Sequence, residues 1–174
     1  MVFVKVVFLV NIVEKCLRKG KAWHAKEPLQ LIHSDICGPL EVPSLSRPIY
    51  FLTFIDDFSR KSWVYFLKNK SEVFSIFQIF KSFVENEFGK KIKNLRLDNG
   101  GNLLRINLKH FYPNMVFNTK ILYLTHQQNG VTKRRNRTLV EMATCMLYSK
   151  GLHKKIWAEA ITYANFILNQ DKTC

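Results

Sequence analysis

Two periodicities alternate along this chain, and together they leave few folds open. From Ser71 to Gly89 apolar residues recur at spacings of three and four: Val73, Phe74, Phe77, Phe80, Phe83, Val84 and Phe88. That spacing predicts an amphipathic helix with Ser71 as its N-cap and Gly89 as its stop. On either side the period falls to two. Leu29 to Asp35 alternates as a half-buried strand does, and Gly38-Pro39 ends it. Ile49–Ile55 and Ser62–Leu67 are rich in aromatic and β-branched residues, and Asp56-Asp57-Phe58-Ser59-Arg60 is a turn short enough to join them as an antiparallel hairpin. Trp63, Tyr65 and Phe66 are read as packing residues of that hairpin. Further on, Lys91–Leu97 predicts a fourth strand, 103–112 a short helix and Val116–Thr125 a fifth strand. A long helix is expected from Val131 to Lys150, and a last one from Ile156 to Leu168. This order predicts an α/β domain: a mixed five-stranded sheet flanked by helices.

A chain of 174 residues, 47% of them hydrophobic, suffices for one domain with one core. The same numbers argue against disorder. The formal charge of +14, from 27 Lys+Arg against 13 Asp+Glu, points to a polyanionic partner, nucleic acid before a membrane surface. Cys16, Cys37, Cys145 and Cys174 form no Cys-x-x-Cys pair, so free thiols are expected. Residues 1–13, MVFVKVVFLVNIV, are too short to span a bilayer and lack a small-residue cleavage site; no membrane association is expected.

Several segments carry a resemblance. Ile32-His33-Ser34-Asp35, Ile55 to Tyr65, Leu97-Asp98-Asn99-Gly100-Gly101, Gln127 to Thr138 and Ile156-Trp157-Ala158-Glu159-Ala160 occur in an order that resembles the integrase catalytic core of copia-type LTR retrotransposons. The resemblance spans residues 27–170 and implies a ribonuclease H-like fold. Residues 1–26 are read as the remnant of the family's zinc segment, and 171–174 as a truncated tail. Of that segment's Cys pair only Cys16 remains, so no zinc site is expected. A makeshift set of Cys16, His24, His33 and Cys37 is a weak alternative.

The family cuts and joins DNA with two aspartates and a glutamate on divalent metal. Two-metal phosphodiester transfer needs hard anionic oxygens from separate elements converging on the cations. Asp35 and Asp98, at the ends of the first and fourth strands, match the two aspartates, and Mg2+ or Mn2+ is the implied ion at both. The family's run reads Asn-Gly-Val-Ala-Glu-Arg. Here Asn129-Gly130-Val131-Thr132-Lys133-Arg134 puts Lys133 where the glutamate stands. A protonated lysine cannot ligate metal and is expected to pair with Asp35 or Asp98 instead. Glu141 lies eight residues on, about 12 Å along a helix, too far to substitute.

Lys133, Arg134, Arg135 and Arg137, with Lys90, Lys91 and Lys93, form the expected DNA-binding set, whose phosphate contacts would be blind to sequence. The chain is thus expected to be a degenerate integrase core that binds DNA and does not join it, nuclear by its partner. Two alternatives stand beside this: residual metal-dependent nicking through Asp35 and Asp98, with Asp56 or Asp57 lending the third oxygen, and a non-catalytic homodimerisation module.

Overall fold

The computed structural model describes residues 23–98, 120–124 and 130–170. Its elements run β1 (Ile32–Cys37), β2 (Tyr50–Asp56), β3 (Ser62–Leu67), α1 (Val73–Phe88), β4 (Asn94–Asp98), β5 (Lys120–Leu124), α2 (Gly130–Ser149) and α3 (Trp157–Gln170). One mixed sheet holds the five strands of the described residues in the order β3-β2-β1-β4-β5. β2 pairs antiparallel with both β1 and β3, whereas β4 lies parallel to both β1 and β5.

Alternation along β2 assigns the two faces. Leu52 and Phe54 pack with Ile32, Leu95, Leu97 and the inner side of α1, namely Val73, Phe77, Phe80 and Val84. Phe51 points the other way, into Leu139, Ala143 and Leu147 of α2 and Trp157, Ala158 and Ile161 of α3. Each face therefore has its own apolar cluster, as a period-two strand between two helical layers requires. Trp63, Tyr65 and Phe66 do pack against these clusters, as the hairpin reading expects.

Boundaries moved where polar groups competed for the backbone. β1 starts at Ile32, not Leu29, because Leu29 has a positive φ of 62° and its N–H donates to the Asp56 carboxylate at 3.0 Å. β1 then runs on to Cys37, which pairs with Phe51. At Gly38 φ is 122°, and an added Cβ would come 2.6 Å from the Ile49 carbonyl oxygen, so only glycine fits this exit. The helical segment opens two residues early. Asn69, not Ser71, heads a 3-10 turn over Lys70–Glu72, its backbone N–H donating to the Glu72 carboxylate at 3.0 Å. Gly89, at φ 61°, ends α1 as expected. The expected helix over 103–112 lies outside the described residues.

Phe80 holds this layer together. It is fully buried, stacks on Phe54 at 4.0 Å between centroids and meets Trp63 edge-on at 5.4 Å. Phe80→Ala should cost about 3–5 kcal/mol in chemical denaturation, and a loss under about 1 kcal/mol would contradict this account of the core.

Candidate active site

The parallel ladder of β1 and β4 pairs Ile32 with Leu95, His33 with Arg96 and Ser34 with Leu97. One further step brings Asp35 and Asp98 side by side on adjacent strands, about 4.8 Å apart. Of Asp98 only the strand position is described: it closes β4, opposite Leu124 of β5.

Asp35 opens into a groove between the end of β1 and the first half of α2, lined by Ile36, Cys37, Gly38, Lys133, Asn136, Arg137, Val140 and Glu141. The helix is held there by a buried polar chain. Thr53, opposite Asp35 on β2, donates to the Asn136 side-chain oxygen at 2.6 Å, and the Asn136 amide donates to an Asp35 carboxylate oxygen at 3.2 Å. Lys133 lies one turn before Asn136 and lines the same groove. Arg137 and Glu141 pair at 2.9 Å across the next turn.

The residues lining this groove do not fit a two-metal centre. Two cationic side chains, Lys133 and Arg137, stand against two carboxylates, Asp35 and Glu141, and one Asp35 oxygen already accepts from Asn136. Among the described residues no three His, Cys, Asp or Glu side chains converge as a metal site. His24 and His33 both meet Asp57, while Cys37 lies four residues along β1, about 13 Å from His33. The described members of the makeshift zinc set therefore do not converge, and Cys16 lies outside the described residues.

Asp56 and Asp57 are not at this rim. Asp56 pairs with Ile32 and Asp35 with Thr53, so the two ends are three residues, roughly 10 Å, apart. The oxygens of Asp56 accept from Leu29 N–H and from Ser59 N–H and Oγ. Asp57 accepts from Ala25 N–H at 2.8 Å, meets His24 and His33, and lies 3.3 Å from Arg60. Both carboxylates shape the turn and fasten the segment leading into β1, and neither can lend a third oxygen to Asp35.

The basic residues divide in the same way. Lys90 and Lys93 both grip Glu27, at 2.9 and 2.6 Å, and hold its carboxyl down at about 2; Lys91 reaches Glu85 at 2.9 Å. Arg135 turns inward, donating to Ser62 Oγ at 2.8 Å and to Asn169 at 3.2 Å, so it ties α2 to β3 and α3. Arg137, on the groove lining, and Arg134, three residues before it on α2, are exposed. Sequence reasoning missed Asn136 and Thr53. The only signal was an asparagine three residues after Lys133, on the stripe of α2 that faces the sheet.

A family model described as the integrase core domain matches residues 25–112, half of the chain. The retrovirus-related Pol polyprotein from transposon TNT 1-94 of Nicotiana tabacum is 44% identical over 143 residues, covering 82% of this chain and 11% of that polyprotein. The chain thus spans about a tenth of the length of this relative. Among solved structures, the HTLV-2 integrase catalytic core domain in complex with magnesium superposes with a TM-score of 0.58 at 19% identity, covering 84% of this chain and 89% of that one. The simian T-cell lymphotropic virus intasome in complex with a PP2A regulatory subunit gives a TM-score of 0.55 at 15% identity, covering 85% and 51%. At these identities the structures speak for the fold.

Two predictions follow from the placement of these side chains. Arg135→Ala should lose about 1–3 kcal/mol of stability, because it strips a buried hydroxyl of its donor, while Arg134→Ala should stay within about 0.5 kcal/mol; equal effects in urea titrations would contradict the division. Burial pushes the His33 imidazole below its ordinary value against the pull of Asp57. A histidine kept neutral by folding takes its proton more readily when unfolded, so its stability contribution is whole above about pH 6.5 and drains below it. The urea midpoint should therefore fall between pH 7.5 and 5.5, and His33→Gln should flatten that fall; a slope unchanged by the substitution would contradict it.

Proposed function

Because the chain belongs to the integrase core family, with the fold of retroviral-type integrase catalytic cores, we propose that it is a degenerate retrotransposon integrase core that binds DNA and does not cut or join it. The observation that carries this reading is Lys133 in the groove of Asp35, on the first turns of α2, where the family's glutamate would stand. An ammonium group offers no lone pair to a metal and repels one nearby. In a chain with glutamate at 133, Asp35 and Asp98 would be the positions for Mg2+ or Mn2+. The outward-facing Arg134 and Arg137 support phosphate contact at the same rim, and the charge of +14 supports steering toward a polyanion. Lys90, Lys91 and Lys93 remain partly exposed while paired, and serve as a secondary phosphate-facing set. A DNA partner assigns its site of action to the nucleus. None of the described helices is long and apolar enough to cross a membrane.

A specific observation favours self-association as a second reading. Tyr163 and Phe166 stack on each other on the outer side of α3, 58% and 56% exposed. Large apolar surfaces left to solvent mark contact sites, which suits a homodimer.

Strand transfer and nicking on short duplex DNA with Mn2+ test the main reading. The natural chain should bind without cutting, its affinity falling steeply with salt, and Arg134→Ala or Arg137→Ala should each reduce the salt slope by about 1. Lys133→Glu should gain nicking that Asp98→Asn removes. Cutting by the natural chain, lost in Asp98→Asn, would overturn the proposal; salt-insensitive or absent DNA binding would shift it to the self-associating module.

A further inference from the structure

The groove that carries the proposed function is also where the family's metal and this chain's side chains disagree. Of its charged lining residues, Asp35 and Glu141 are matched one for one by Lys133 and Arg137. Glu141 is already satisfied by Arg137 at 2.9 Å across one helical turn. Asp35 is half-buried within β1 and fixed on one oxygen by the Asn136 amide. A half-buried carboxylate facing a groove is costly unless a positive charge that is already in place, or one that binds, offsets it. Lys133 is the cation positioned for this. It sits at i−3 from Asn136, on the same stripe of α2, so the Thr53–Asn136–Asp35 chain that docks the helix also carries Lys133 to the rim.

We propose that Lys133 is the permanent counter-ion of Asp35, taking over the electrostatic role that a divalent metal has in a site with glutamate, so that the folded domain is independent of metal. The inference rests on the integrase reading of the groove, and it makes a statement about stability that DNA binding does not make. A monovalent ammonium tethered to a helix is always present at the rim. A divalent ion must be bound from solution, and its contribution to stability grows with its concentration.

Thermal unfolding of the full chain, with MgCl2 or MnCl2 against NaCl of equal ionic strength and against EDTA, tests this without any activity assay. The natural chain should unfold at the same temperature in all four, within about 1 °C. Lys133→Glu should unfold lower in EDTA and recover with Mn2+, by about 5 °C at a hundred times its dissociation constant, and adding Asp35→Asn should remove the recovery. Lys133→Met, which deletes the charge without adding a ligand, guards against a glutamate variant that fails to fold. It should be destabilised in EDTA and helped by Mn2+ more than by matched NaCl. A natural chain stabilised by Mn2+ in a manner lost in Asp35→Asn would overturn the proposal, as would a Lys133→Met protein as stable as the natural chain and equally blind to metal. Failure of DNA binding with these stability results intact would sink the functional reading and leave the counter-ion standing.

Discussion

Parallel pairing of β1 with β4 is the constraint on which the rest of the site depends. A parallel neighbour sends both strands toward the same rim, so the residues that follow the last paired rung, Asp35 and Asp98, finish side by side. Such pairing needs a long crossover connection, and the hairpin strands with α1 supply it. The core of α1 against Leu52, Phe54, Leu95 and Leu97 thus fixes the register of the two aspartates, although no residue of α1 lines the groove. Packing on one face of the sheet sets the strand register that borders the groove on the other.

On that other face α2 is docked by apolar and polar contacts together. Leu139, Ala143 and Leu147 supply the area, while Thr53, Asn136 and Arg135 supply the phase. A helix held only by apolar side chains can rotate or slide at modest cost. One anchored by a buried asparagine and a half-buried arginine leaves unpaired polar groups if it moves. The helix is therefore held in one orientation, with Lys133 on its groove side. The contacts that hold the groove together belong to the fold itself.

Much of this was legible in the chain itself. Strand and helix periods gave the element order, and the run from Leu29 to Asp35 placed Asp35 on the first strand, although that strand goes on to Cys37. What stayed hidden depended on tertiary partners. The Asp56-Asp57 doublet looks like a source of metal oxygens until the pairing of Asp56 with Ile32 sets it at the opposite end of β1 and its oxygens are taken by backbone and hydroxyl donors. Arg135 is indistinguishable from Arg134 in a run of basic residues. Only the helical phase, about 100° between neighbours, turns one to Ser62 and the other to solvent. Asn136 has no signature of its own, because a lone asparagine on a helix reads as surface until a threonine and an aspartate are found facing it.

The central claim is that α2 and the end of β1 form a DNA-facing groove that works without metal. It is tested most directly by mapping amide chemical-shift changes of the isotopically labelled chain on addition of a short duplex in EDTA. The account predicts changes concentrated at residues 35–38 and at Lys133, Arg134 and Arg137, unaltered when Mg2+ is added. Changes that appear only with Mg2+, or that cluster instead around Tyr163 and Phe166 of α3, would contradict it.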